Sequence, residues 1–296
     1  QLIKKGIPVT IFDRHDPLSP EFKPASYGNA GHFSPYAVLQ LNRPDVLYDV
    51  PKMLLSSYGP LALKWNYLPK MFKWFFHYLK NCNQKSMLHT AKYMHQILNL
   101  SNDAYEEIFQ EIDINGLVEK KGIIYVWTNK NLKSRKVEIK VRNDLGVEQR
   151  LLSQKEILEL EPNLSPIFDA GVIYESAMHA RDPYAILKKI FKFFLERGGK
   201  FIQTDVKSLE QININETVIK SEGDEFRFEK TVIASGAFSK KLTDQLGENI
   251  PLDTERGYHV HFKNKENLIK RPIIFLDRAI GLTPMNQGLR AGGTVE

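Results

Sequence analysis

The sequence predicts a mixed chain, α/β with α+β character, in which two domains are intertwined rather than consecutive. Three observations predict it. Strands of parallel type joined to helical stretches occur near the start, in IPVTIF, and again between Pro183 and Val206. Two short alternating runs, ETVIKSE and EFRFE, flank Gly223 and Asp224 and read as a hairpin. From Tyr258 through RPIIFL to GLRAGGTVE the chain shows several short strands and no helix. Parallel and antiparallel material therefore interleave, and 296 residues suffice for two cores.

QLIKKG reads as the last turns of a helix. Leu2 and Ile3 are apolar, Lys4 and Lys5 stand where the helix dipole favours cations, and Gly6 suits the left-handed position after the last turn. Because the first residue is Gln1, and RAGGTVE follows a strand with no closing helix, the chain reads as an internal piece of a longer protein. Residues 49–112 read as helical, with Pro51 and Pro69 near helix starts. Met87, Ala91, Met94, Leu98, Tyr105, Ile108 and Ile112 recur every ~3.5 residues and predict one long amphipathic helix. GIIYVW is a strand. SQKE, Ser153 to Glu156, is a capping box opening a short helix that must stop by Pro162. A strand near Val172–Tyr174 follows. Asp182 then caps a helix with Pro183 at its first position, a buried stripe of Ile186, Leu187, Ile190 and Phe194, and an end at Gly198 and Gly199. KFIQTDV is the next strand, and TVIASGAFS reads as a buried strand opening into a glycine turn.

Hydrophobic content of 42% and charged content of 26% fit a globular enzyme. The net charge of +6 reads as lysines scattered over the chain rather than one block, which argues against nucleic acid and suits an anionic ligand or membrane surface. Cys82, the single cysteine, excludes an internal disulfide and a cysteine zinc site, and points to a reducing, cytoplasmic setting. No apolar run approaches the length of a membrane span. LPKMFKWFFHYLKN, however, alternates Lys70, Lys73 and Lys80 with Met71, Phe72, Trp74, Phe75, Phe76 and Leu79. It reads first as a core helix with a solvated lysine edge, and alternatively as a helix in a bilayer interface.

Several residues carry candidate chemistry. Asp13, ending VTIFD, sits where an acidic residue at the carboxyl end of a second strand accepts ribose hydroxyls, with Arg14 beside it. A solvated turn residue is the alternative. In PASYGNAGHFSP, Ser26, Gly28, Ala30 and Gly31 let backbone amides approach a flat or anionic ligand, although a plain surface loop has the same composition. His32 could tune a cofactor or meet substrate, or be held by loop hydrogen bonds. His259 and His261 share one face of a strand and lack further metal ligands, so no metal is expected. Tyr258, Arg256 and Arg290 are candidates for substrate contact, although each such residue is more often simply part of a sheet.

PASYGNAGHFSP resembles the segment after the second strand in the D-amino-acid dehydrogenase branch of the FAD-dependent amino-acid oxidase superfamily. VTIFDR, TVIASGAFS, RGYHVHF and TPMNQGLRAGGTVE resemble further segments of that branch in the same order, so the resemblance covers nearly the whole chain. It implies a Rossmann-like FAD-binding domain, residues 1–36 and 170–250, intertwined with a substrate domain, residues 37–169 and 251–296, built on a mainly antiparallel sheet plus helices. Asp13 would bind ribose and Arg14 would lie near the adenosine phosphates. Ser26, Asn29, Ala30, Gly31 and His32 would face the flavin. Val206 would meet the adenine, and Ala234 with Gly236 would line the same pocket. Phe238 stands where the family often has tryptophan. The implied activity is oxidative deamination of D-amino acids, with electrons passed to an acceptor such as a membrane quinone and peripheral contact through residues 68–80 at the inner face of the plasma membrane. A glycine- or sarcosine-oxidase-like enzyme using oxygen and an inactive truncated flavoprotein are the alternatives. The glycine-rich phosphate motif and the carboxylate clamp would lie outside this stretch, so residues 1–296 alone would bind FAD weakly.

Overall fold

The computed structural model describes residues 1–40, 42–44, 47, 50, 54, 64–128 and 132–296. The strands are β1 Thr10–Asp13, β2 His32–Phe33, β3 Val118–Glu119, β4 Ile123–Trp127, β5 Arg150–Ser153, β6 Ala170–Tyr174, β7 Met178–Ala180, β8 Lys200–Gln203, β9 Ser208–Asn213, β10 Glu216–Lys220, β11 Glu225–Phe228, β12 Gly257–Phe262, β13 Ile273–Phe275, β14 Ile280–Met285 and β15 Gly288–Val295. The chain forms two compact units, each discontinuous: Gln1–Gly28 with Tyr184–Arg256 and Val295–Glu296, and Asn29–Pro183 with Gly257–Thr294.

In the first unit β1 and β8 pair in parallel, from Thr10 opposite Lys200 to Asp13 opposite Gln203. The helix Pro183–Glu196 leads into β8 and buries Ile186 and Phe191, and the Phe191 ring meets Phe201 edge-on at 5.2 Å. Phe191 was absent from the expected stripe; Leu187, Ile190 and Phe194 are half-buried. The helix ends as expected, with Gly198 at φ +85° and the Gly199 N–H bonded to the Phe194 carbonyl at 3.0 Å. β9, β10 and β11 form an antiparallel sheet with the hairpin turn at Gly223, and Phe226 and Phe228 pack edge-on against Phe12 of β1.

One expectation fails here. Residues 231–235 of TVIASGAFS form no strand and are largely exposed, Val232 at 79%; a 3-10 turn Gly236–Phe238 follows. An apolar run becomes a strand only beside an edge that pairs its amides and carbonyls, and among the described residues none pairs with it.

In the second unit a seven-stranded sheet runs in the order β12-β15-β14-β13-β4-β6-β5. β4 and β13 are parallel, whereas β13–β14, β14–β15, β4–β6 and β5–β6 are antiparallel. β4 alternates between two cores. Ile124 and Val126 join Leu152, Ile157 and Ile173, while Ile123 and Trp127 join Tyr36, Val172 and Tyr174. The capping box forms as read: Ser153 accepts the Glu156 N–H, and Glu156 accepts the Ser153 N–H at 2.8 Å. A smaller sheet, β2-β7-β3, sets His32 opposite His179 and Val118 opposite Ala180. Residues 29–36 and 170–183 lie in the second unit, because β2 bonds to β7 and β6 bonds to β4 and β5; the chain crosses between units at 28/29, 183/184, 256/257 and 294/295.

The long helix expected over Met87–Ile112 is two helices, Gln84–Leu98 and Ser101–Phe109. At the break the Ser101 hydroxyl donates to the Leu98 carbonyl at 2.6 Å, a local bond that competes with helix continuation. The first of these helices buries Met87 and Ala91 but leaves Met94 exposed. The helix Phe72–Lys80 buries none of its residues, so it is not the core helix that its apolar content suggested. The start expected at Pro51 lies outside the described residues.

Candidate functional site

The carboxyl ends of β1 and β8 lie side by side, because the two strands are parallel and in register. Asp13 closes β1, is exposed, and accepts the His15 N–H at 2.9 Å; its carbonyl accepts the Thr204 N–H at 2.9 Å. Val206 follows three residues after β8 and is half-buried. Arg14 stacks its guanidinium 4.3 Å from the Phe238 ring, which ties the β1 end to the turn at Gly236, where φ is +55°. Ala234 and Gly236 are exposed. The first unit thus brings Asp13, Arg14 and the Gly236 turn to one strand end, with Val206 three residues beyond the partner strand. Ser26 is half-buried in the short helix Ala25–Gly28, and exposed Arg256 pairs with Glu296 at 3.2 Å.

In the second unit, the Asn29 side chain accepts the Gly31 N–H at 2.7 Å, and Arg290 Nη1 donates to the Asn29 carbonyl at 2.6 Å. Gly31 has φ +72°, and its carbonyl accepts the Ala180 N–H at 2.6 Å. A Cβ there would stand 2.7 Å from the Ala180 carbonyl oxygen, so close approach as well as torsion requires glycine. Asn29 and Ala30 remain exposed, a small neutral surface between fixed ends. His32 Nε2 bonds Thr283 Oγ1 at 2.8 Å, and Thr283 stands opposite Arg290 across β14 and β15. Burial pushes the His32 imidazole down to about 4, so it is neutral at pH 7 and serves poorly as a base. Tyr258 lies exposed on β12, the edge strand beside β15. His259 is lowered by burial and then by Arg290, which places Arg290 within electrostatic reach of β12.

Sequence reasoning missed His179. It is fully buried, stands opposite His32 on one side and Glu119 on the other, and has no hydrogen-bond partner at either ring nitrogen. Burial lowers it to about 4; Glu119 opposes this, and His32, Arg181 and Lys121 add to it. Burial pushes Glu119 up, but Lys121 and Arg181 outweigh it and hold the carboxyl below its usual range. A lone histidine in the run MHA carries no signal of this pairing.

The sequence pattern of the FAD dependent oxidoreductase family known as DAO matches residues 1–296. This chain belongs to that family. It is 31% identical over 297 residues to a D-amino-acid oxidase of Bradyrhizobium diazoefficiens, covering 100% of this chain and 70% of that protein. It is 25% identical over 313 residues to a D-amino acid dehydrogenase of Vibrio atlanticus, covering 100% of this chain and 72% of that one. The fold resembles glycine oxidase of Geobacillus kaustophilus with TM-score 0.68 and 17% identity, over 100% of this chain and 66%, just under two thirds, of that structure.

The family cofactor, FAD, fits what each unit presents. An exposed carboxylate at a strand end can accept ribose hydroxyls. The Asn29–Ala30 surface carries no bulky side chain and is held from behind by Arg290 and Ala180. By family the protein is thus an FAD-dependent oxidoreductase.

Proposed function

We propose that the protein oxidises D-amino acids at the α-carbon, and that the imine formed hydrolyses to a keto acid and ammonia while the electrons pass to a quinone-type acceptor. The observation that carries this reading is the neutral loop Asn29–His32, pinned by Arg290 through the Asn29 carbonyl and by Ala180 through Gly31. The relatives named D-amino-acid oxidase and D-amino acid dehydrogenase support the substrate class. When bound, FAD supplies the two-electron acceptor for the α-hydrogen. The chain's task is then orientation. Asp13 binds the ribose, with Arg14 near the adenosine phosphates and Val206, Ala234 and Gly236 at the adenine. Exposed Asn29 and Ala30 would face the flavin, with Gly31 and His32 holding the loop behind them. Neutral His32, anchored on Thr283, adds no charge there. Arg290, committed to Asn29, would act as a positioning residue, and Tyr258 would contact the substrate.

An oxygen-using, glycine-oxidase-like reading is favoured by the glycine oxidase fold match and by the relative named an oxidase. Turnover of D-alanine, sarcosine and glycine by the complete reading frame, with a dye acceptor and then with oxygen, separates the two. The proposal expects D-alanine with dye to be fastest; preference for glycine or sarcosine with oxygen would replace it.

A further inference from the structure

Residues 50–102 hold seven lysines and no Asp, Glu or Arg. Those seven charges exceed the chain's whole net charge of +6, so the remainder sits at −1 and the positive charge is concentrated, not scattered as a first reading suggested. Within this acid-free stretch the helix Phe72–Lys80 presents two parallel rows. Phe72, Phe76 and Leu79 form one and Lys73, His77 and Lys80 the other, each at i, i+4, i+7. All six are exposed, Phe72 at 75% and Phe76 at 60%, while Phe75 and Tyr78, on the side of the helix away from the lysine row, are half-buried. Just upstream Trp65 and Tyr67 are exposed, and Lys70 lies over the Tyr67 ring at 5.4 Å. Among the described residues no carboxylate pairs with Lys70, Lys73 or Lys80.

We infer that this helix docks flat on an anionic lipid surface, with the Phe72–Phe76–Leu79 row in the acyl boundary and the lysines at the phosphates. A protein partner of acidic character could neutralise the lysines, but it would have to cover a convex, aromatic-rich row. A bilayer interface takes both without shape complementarity, and Trp and Tyr are at home there. Among the described residues no helix is long and apolar enough to cross a membrane. The inference does not depend on the substrate or on the electron acceptor.

The test is flotation of the protein with vesicles of phosphatidylserine in phosphatidylcholine and with phosphatidylcholine alone, at low and high salt. Binding to the anionic vesicles that weakens with salt is expected. Replacing Lys70, Lys73 and Lys80 together by Glu should weaken it by at least about 100-fold. Phe76→Ser with Leu79→Ser should weaken it too. All these side chains are exposed, so an unchanged melting temperature is expected and separates lost docking from lost folding. Absence of binding to the anionic vesicles, equal binding by the lysine variant, or a dimer in sedimentation that Phe76→Ser dissolves while lipid binding is absent would each overturn the inference, the last in favour of a second copy as occupant.

Discussion

His179→Leu should remove a defined part of the protein's sensitivity to acid. In the folded chain burial holds the imidazole at about 4, against 6.5 for the free side chain. The folded state therefore binds this proton more weakly than the unfolded state, and protonation favours unfolding. The penalty is absent above about 6.5, grows as pH falls, and is complete below about 4. A shift of that size corresponds to about 3 kcal/mol in full and to about 2 kcal/mol at pH 5. Leucine has a similar volume and no titration. Because neither ring nitrogen has a hydrogen-bond partner, the substitution breaks no bond and should be neutral or stabilising at pH 7. Urea unfolding followed through Trp127, which lies in the same unit, gives the comparison at pH 7 and pH 5. The parent should lose about 2 kcal/mol more than the variant between the two. Equal losses would refute the claim that a neutral, desolvated histidine sits under the candidate site.

Two further substitutions probe the loop. Gly31→Ala must adopt φ +72° and bring its methyl to 2.7 Å from the Ala180 carbonyl oxygen, so it should cost roughly 1–3 kcal/mol, read from the urea midpoint. Arg290→Gln removes the guanidinium that donates to Asn29, and in the flavin-loaded protein it should lower kcat/KM at least about 10-fold with flavin content retained. Unchanged kinetics would detach Arg290 from the loop's role.

Local chemistry was legible where a few neighbouring residues decide the outcome. The Ser153–Glu156 capping box, the Gly223 hairpin and the Gly6 and Gly198 helix ends all formed, because each is settled by torsion and by hydrogen bonds within a few residues. What failed depended on distant partners. Residues 231–235 have the composition of a strand and find no edge to pair with. Met87 and Ala91 are buried as the periodicity expects, but Met94 and Tyr105 are exposed, and the Ser101 hydroxyl turns the chain between two helices. Phe72–Lys80 has the composition of a core helix and lies exposed, since periodicity shows which residues share a face but not what covers it. At the candidate site the loop and Asp13 could be read from residue type and strand position. His179 and Thr283 could not, because only β7 and β14 bring them to His32.

The most direct test of the central claim is anaerobic mixing of the flavin-loaded protein, made from its complete reading frame, with D-alanine and separately with L-alanine. The account predicts that the D enantiomer bleaches the flavin's visible absorbance, with pyruvate and ammonia released after reoxidation, and that the L enantiomer leaves it unchanged. Bleaching by L-alanine alone, or by neither enantiomer in a protein that holds its flavin, would contradict it.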